Sequence, residues 1–146
     1  MTDETDRTIT LVRMIHAPAE ELFAAWTDPA LLEQWQAETV EFEPFEGGAI
    51  RFESVDDEDP RVTHVVTGKI AAFEPNRKLV EEWEHKLAEG QDTIRSRLTV
   101  SFRPVSDDST ELTLVEESDS HDDPESRIFS IEAWNEALEV LADLLE

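Results

Sequence analysis

Residues 17–29 read Ala-Pro-Ala-Glu-Glu-Leu-Phe-Ala-Ala-Trp-Thr-Asp-Pro and contain two helix starts in succession. Pro18 suits the first turn of a helix, where its missing N–H costs no hydrogen bond, and the two glutamates after it favour the positive end of the helix dipole. Asp28-Pro29 repeats the pattern of a capping residue followed by proline. The segment therefore predicts two short consecutive helices, of which the second runs through Trp35.

Strand-like segments surround these helices. Residues 8–15 precede them, with Ile9, Leu11 and Ile15 on one alternating face. Six more segments follow, which are Val40–Phe42, Ile50–Phe52 beyond the Gly47-Gly48 turn, Val62–Phe73, Leu79–His85, Thr93–Arg103 and Thr110–Glu117. Turn-forming residues separate the later ones, at Pro75-Asn76, Glu89-Gly90 and Asp107-Asp108-Ser109. Such short connections predict antiparallel neighbours.

An amphipathic pattern ends the sequence. Asp123-Pro124-Glu125 predicts a helix start, and apolar residues then recur at helical spacing, at Ile131, Trp134, Leu138, Leu141 and Leu145. Acids occupy the opposite face, at Glu132, Glu136, Glu139 and Asp143. A long amphipathic helix after antiparallel strands should cross the concave face of the sheet. The expected order is β-α-α-β-β-β-β-β-β-α, a single α+β domain over residues 1–146 with a flexible tail at 1–7.

The order of elements, with this wording around the two helices, resembles the helix-grip superfamily, which includes the START and birch-pollen-allergen-like (SRPBCC) proteins. The branch it is similar to is the C-terminal domain of the activators of the Hsp90 ATPase. The motif residues are Arg13, residues 17–29, Leu32, Gln34-Trp35, Gly47-Gly48, Arg51-Phe52, Gly68, Phe73-Glu74-Pro75, Leu79, Trp134, Leu138 and Leu141. The resemblance covers residues 8–145. It implies a curved antiparallel sheet that grips the last helix around a cavity, which in this superfamily often holds an apolar ligand.

The chain departs from the family pattern in two places. The family commonly has a second Trp and then a Pro after Trp35, where this chain has Gln36 and Ala37, and a Gly where it has Ala133. The first departure bears on the entrance of the cavity, and the second on the packing of the last helix. Members of the superfamily include lipid and hormone binders, polyketide cyclases and co-chaperone domains, so the fold does not fix the function.

The composition restricts the environment and the partners. There are 36 acidic residues against 12 basic ones, a formal charge of −24, which disfavours nucleic acid and anionic membranes. The only lysines are Lys69, Lys78 and Lys86. Excess acid with scarce lysine resembles the proteins of extreme halophiles, where molar salt screens the repulsion. Without cysteine or a signal-like start, we expect a cytoplasmic protein with no thiol chemistry.

The alternation within the strands indicates which side chains face the cavity. Leu79, Glu81, Trp83 and His85 share one face, which the large indole favours as the inner one. The candidate ligand-binding residues are Trp35, Phe52, His64, Glu81, Trp83, His85, Ser96, Glu116, Phe129 and Trp134. The plainer interpretation is that each polar member lies at the rim or is satisfied by internal hydrogen bonds, and that tryptophans at helical spacing, such as Trp26, are core.

Other motifs carry less chemistry. Ser118, Ser120, His121 and Asp122 are the residue types of a serine triad, but a triad is recognised by geometry and not by adjacency in an acidic loop. The stretch from Asp107 to Glu125 contains no base and is expected to form a solvated edge. The histidines lack the spacing of a metal site. No catalytic residue, metal or cofactor is therefore assigned.

Three functions follow from these observations. The leading one is non-enzymatic binding of a small hydrophobic or amphipathic molecule between the sheet and the last helix. The second is a chaperone-linked or stress-response interaction module of the Hsp90 ATPase activator type. The third is a polyketide-cyclase-like enzyme that pairs His64 or His85 with Glu81 or Glu116 as acid and base. Either a monomer or a homodimer is compatible with the sequence.

Overall fold

The computed structural model describes residues 8–55, 58–86 and 93–146. The expected tail at 1–7 and the Glu89-Gly90 turn lie outside them. The elements are β1 (Thr8–Ile15), α1 (Ala19–Thr27), α2 (Pro29–Trp35), β2 (Thr39–Phe42), β3 (Ala49–Val55), β4 (Thr63–Glu74), β5 (Lys78–Lys86), β6 (Thr93–Ser106), β7 (Ser109–Ser118) and α3 (Pro124–Leu145). This order confirms the predicted α+β helix-grip architecture. A 3₁₀ turn over Asp119–Asp122, which the sequence did not predict, joins β7 to α3.

One aspartate separates the two short helices. The backbone N–H of Asp28 donates to the carbonyl of Ala24 at 2.8 Å and closes α1. Its side chain accepts from the N–H of Ala30 at 2.9 Å and caps α2, which begins with proline as predicted. The inner faces of both helices carry fully buried side chains, among them Leu22, Trp26 and Leu32. These helices therefore close one end of the core.

The described strands form one antiparallel sheet in the order β1-β7-β6-β5-β4-β3-β2. Sequential hairpins build it from β2 to β7, and β1 then pairs with β7 along Thr8–Ile15. The stretch from Asp107 to Glu125 is thus no edge, because β7 lies between β1 and β6 with Leu112 and Leu114 fully buried. That expectation was wrong because Glu111 on β7 alternates with buried residues and Glu116 is itself buried.

Two features fit the curvature of the sheet. The register shifts between Ile70 and Ala72, where β4 pairs with β5. A β-carbon added at Gly68 would collide with the backbone carbonyl of Glu82, so the neighbouring strand approaches closer there than any side chain allows.

Helix α3 lies on the inner face of this sheet. Its stripe is buried as predicted at Trp134, Leu138 and Leu141, while Glu139 on the outer side is exposed and bridges to Arg13 of β1 at 2.7 Å. Within the described residues, no helix is both long enough and apolar enough to cross a membrane.

The four tryptophans of the chain contact one another in series. Ring centroids are 4.7 Å apart for Trp35 and Trp26, 6.0 Å for Trp26 and Trp134, and 6.1 Å for Trp134 and Trp83. We call this series the tryptophan row. Trp26 is fully buried, as the core interpretation predicted, whereas Trp83 is only half-buried. The row therefore runs from the interior of the core to a surface between the sheet and α3.

Candidate functional site

Two adjacent cavities lie between the sheet and the first half of α3. One of about 320 Å³ is lined by Trp134 and is called the Trp134 cavity; the other, of about 560 Å³, is lined by Glu116 and is called the Glu116 cavity. Both are lined by Val66, Trp83, Phe129 and Ser130. We refer to the two together as the groove.

Aromatic side chains form the walls of the groove. Phe52 of β3 packs edge-on against Trp83 at 5.5 Å, and Trp83 in turn contacts Trp134 of α3. Phe129 borders both cavities from α3 and is 72% exposed. An exposed phenylalanine beside an apolar cavity leaves hydrophobic surface that a ligand could cover.

The carboxylate of Glu116 lines the groove and is held from behind by two N–H groups. It is only 7% exposed. Its Oε2 accepts from Trp134 Nε1 at 3.0 Å, and its Oε1 lies 3.0 Å from Nε2 of the buried His121. His121 Nδ1 has no partner among the described atoms, which favours the tautomer that donates from Nε2. Since a carboxylate offers about four acceptor positions, Glu116 keeps acceptor capacity for a ligand.

Glu81 is the second buried carboxyl, and it lies outside the lining of both cavities. It is 1% exposed and accepts from Trp83 Nε1 at 2.8 Å. Burial raises the pKa of Glu81 from 4.5 to about 8, and the hydrogen bond from Trp83 opposes this only in part. Near neutral pH the carboxyl is therefore mostly protonated and serves to orient the Trp83 ring.

Two histidines lie at the rim. His64 borders the Trp134 cavity and is exposed, and His85 borders the Glu116 cavity. Their ring centroids are 6.0 Å apart. Desolvation, and then the nearby charge of His64, lower the pKa of His85, so this imidazole is neutral at physiological pH.

Eight of the ten predicted binding residues line the groove, namely Phe52, His64, Trp83, His85, Ser96, Glu116, Phe129 and Trp134. Ser96 is also internally bonded, donating to Ser118 Oγ at 2.9 Å. Trp35 and Glu81 are not brought there. Trp35 donates from Nε1 to the carbonyl of Ala25 at 2.8 Å and borders an adjoining depression beside α2, which shares Gln36, Ala37, Ser54 and His64 with the Trp134 cavity.

The structure adds residues that the binding prediction omitted. Gln36, Ala37 and Ala133, where the chain departs from the family pattern, all line the Trp134 cavity. Those departures were the available signal. His121 stood out in the sequence only as one of the residue types of a serine triad. Nothing pointed to its contact with Glu116, because the 3₁₀ turn that buries it there has no periodic pattern.

The charged residues of the groove are all acidic. Glu116, Asp123 and Glu125 line the Glu116 cavity, and no lysine or arginine is among the described residues that line either cavity. In the described part of the chain, no group of three or more potential ligands could hold a metal ion. The groove can therefore accept hydrogen bonds and stack on apolar surface, but it offers little to an anion.

Comparison with solved structures identifies the same fold elsewhere. A protein of Mesorhizobium loti is 26% identical, with a TM-score of 0.77, over 95% of this chain and 96% of that chain. An HSP90 activator from Plasmodium falciparum is 22% identical, with a TM-score of 0.59, over 76% and 72%. A protein of Micromonospora echinospora is 22% identical, with a TM-score of 0.69, over 95% and 76%. At this identity the last two likenesses show the fold alone.

The sequence comparisons are more specific. No curated protein matches the sequence. Residues 16–146, however, match the family described as Activator of Hsp90 ATPase homolog 1-like protein. This range includes the two short helices, the sheet from β2 onward and the groove. The chain belongs to the Activator of Hsp90 ATPase homolog 1-like family.

Proposed function

We propose that this domain binds a small amphipathic molecule in the groove and does not act on it chemically. The observation that carries the proposal is the open groove itself. The space between the sheet and α3 is bordered by Phe52, Trp83 and Trp134 and has the buried carboxylate of Glu116 at one side. A mostly apolar cavity with few oriented polar groups is the usual form of a small-molecule site.

The dimensions suit a modest affinity. A ligand that buries about 200 Å² of apolar surface gains about 5 kcal/mol at ~25 cal/mol per Å², before the cost of ordering it. The polar group of the ligand adds orientation more than free energy, because Glu116 exchanges one solvated hydrogen bond for another.

Native mass spectrometry of the purified protein in ammonium acetate tests for a co-purified molecule. A second readout is uptake of Nile red, a neutral dye whose emission shifts in apolar surroundings. We expect added mass or dye uptake. Reproducible absence of both contradicts the proposal.

A matched pair of variants shows whether the groove is the binding place. Ala137 lines the Trp134 cavity, and the nearby Asn135 is exposed on α3 and outside the groove lining. Ala137→Phe places a ring in the cavity and should weaken dye binding by about tenfold. Asn135→Phe adds the same ring elsewhere on the helix and should leave binding unchanged. Equal effects would place binding outside the groove.

The family match favours a second candidate, an interaction module that stimulates an Hsp90-class chaperone. Such a role needs no open cavity, so it would leave the groove unexplained. Stimulation of the ATPase rate of a purified Hsp90 by this domain, unaffected by Ala137→Phe, would support it over ligand binding.

Catalysis of the polyketide-cyclase type is the third candidate. The supporting observation is the hydrogen bond between His121 and Glu116, which borders the groove. His121 lies behind the carboxylate and is not part of the lining, so of this hydrogen-bonded pair only Glu116 could reach a substrate directly. We therefore rank it below binding.

A further inference from the structure

We propose that the groove selects an organic cation, specifically an amine carried on an aromatic or aliphatic body, over a carboxylate with the same body. This inference rests on the proposed binding function and names the chemical class of its ligand. It follows from the charge, the free acceptors and the aromatic faces that the groove presents together.

Charge is the first argument. Three carboxylates converge on the Glu116 cavity from two elements: Glu116 from β7, and Asp123 and Glu125 from the start of α3. The two on α3 also suit the positive end of the helix dipole, which would explain them without a ligand. Glu116 belongs to β7 and not to that helix, and nine-tenths of its surface is buried. A second anion there would be desolvated without a counter-charge, whereas an ammonium group would be paired.

The donors of the lining are the second argument. Binding a carboxylate requires N–H or O–H donors. The indole N–H groups of Trp83 and Trp134 already donate to Glu81 and Glu116. The hydroxyls of Ser96 and Ser126 donate to Ser118 and Asp123. These four donors of the walls are therefore consumed internally.

Acceptors, by contrast, are available. Gln36 borders the Trp134 cavity, and its Oε1 is buried without a hydrogen-bond partner among the described atoms. A buried acceptor with no donor is unfavourable, and a ligand N–H would satisfy it. Glu116 keeps free acceptor positions at the other cavity.

Aromatic faces are the third argument. Trp83 and Phe129 border both cavities, and Trp134 borders one. A cation within about 6 Å of such a ring is attracted to its electron-rich face, most strongly with tryptophan. The same rings pack equally well against the body of an acid, an alcohol or an amine, so this packing adds affinity for all three. Only the amine gains the additional attraction between its charge and the ring faces.

Three probes with one body isolate the head group: phenylbutylamine, phenylbutanol and phenylbutyrate. Binding is followed by tryptophan fluorescence, which comes from the tryptophan row because the chain contains no tyrosine. About 1 M KCl shortens the screening length to about 3 Å, so the net charge of the protein no longer concentrates cations at its surface. A buffer near pH 8 keeps the amine cationic and the acid anionic.

We expect phenylbutylamine to bind at least about tenfold tighter than phenylbutyrate, with phenylbutanol between them. Equal affinity for all three would overturn the selectivity and leave the proposed binding function intact. A fluorescence response to none of them would overturn both. Tighter binding of phenylbutyrate would contradict the selectivity alone.

Three variants that each remove one negative charge show which acids produce the preference for the amine. Glu116→Gln and Glu125→Gln each remove one acid from the groove and should reduce the preference for the amine several-fold. Glu125 is exposed, so its variant keeps the test valid if Glu116→Gln disturbs the contacts to Trp134 and His121. Glu132→Gln, on the outer stripe of α3, should keep the full preference. A loss of preference as large in Glu132→Gln would show that overall charge, and not the groove, selects the cation.

Discussion

The two buried glutamates, Glu81 on β5 and Glu116 on β7, face the same side of the sheet but have different surroundings. Among the described atoms Glu81 accepts from one donor, Trp83 Nε1, it does not line either cavity of the groove, and its pKa is raised to about 8. Glu116 receives N–H groups from Trp134 and His121 and borders the groove. Burial alone therefore does not make a binding residue. The difference lies in the donors behind the carboxylate and in the open space before it.

The largest expected effect comes from replacing each of the two glutamates by leucine. Glu116→Leu leaves the donors of Trp134 and His121 without an acceptor, and each orphaned donor costs about 1–3 kcal/mol, so we expect a loss of about 3–4 kcal/mol. Glu81→Leu also orphans one donor, Trp83 Nε1, but it removes a carboxyl whose burial is unfavourable near neutral pH. Because the two effects oppose each other, the free energy of unfolding should change by less than about 1 kcal/mol. Guanidinium unfolding followed by tryptophan fluorescence measures both. A cost for Glu81→Leu equal to that for Glu116→Leu would remove the distinction.

The second effect is a pH dependence that belongs to Glu81. Because its pKa is raised from 4.5 to about 8, the folded chain keeps a proton that the unfolded chain has released across this window. Raising the pH from about 5 to about 8 should therefore lower the free energy of unfolding, by at most about 1.4 kcal/mol per pH unit, a few kcal/mol in total.

Variants on either side of β5 test that assignment. Glu81→Gln should flatten the slope, whereas Glu82→Gln, on the opposite and partly exposed side of the strand, should keep it. A slope that survives Glu81→Gln would mean that the exposed acids, and not the buried carboxyl, set the pH dependence.

A smaller effect concerns salt. If the excess of acid is an adaptation to concentrated salt, screening should raise the melting midpoint by a few degrees between dilute buffer and about 1 M KCl. The slope due to Glu81 should persist in KCl, because a buried group is screened far less than an exposed one. Thermal melts in a KCl series measure the change in melting midpoint. Unfolding at several pH values in KCl measures the slope due to Glu81. A midpoint that does not rise contradicts the halophilic adaptation.

Much of this architecture could be predicted because local sequence patterns indicate it. The Asp28-Pro29 start, the alternation on β5 and the apolar stripe around Trp134 each follow from a period that a single segment displays. The same alternation correctly turned Glu81 and Glu116 inward. Alternation predicts which side of the sheet a side chain faces, however, and not which residues it contacts there.

The remainder depends on contacts between distant segments. Glu81 and Glu116 differ because the first lies under Trp83, while the second meets α3 and the 3₁₀ turn that carries His121. Trp35 of α2 donates to the carbonyl of Ala25 in α1, a contact between two helices. No periodicity records such contacts, so the division between core and groove required the assembled fold.

The most direct test of the groove uses the indole N–H signals of the four tryptophans in a nitrogen-15 NMR spectrum. Trp83 and Trp134 line the groove, whereas Trp35 does not and donates to Ala25. Titration with phenylbutylamine should shift the signals of Trp83 and Trp134 and leave that of Trp35 in place. A shift confined to Trp35, or no shift in any indole signal, would contradict binding in the groove.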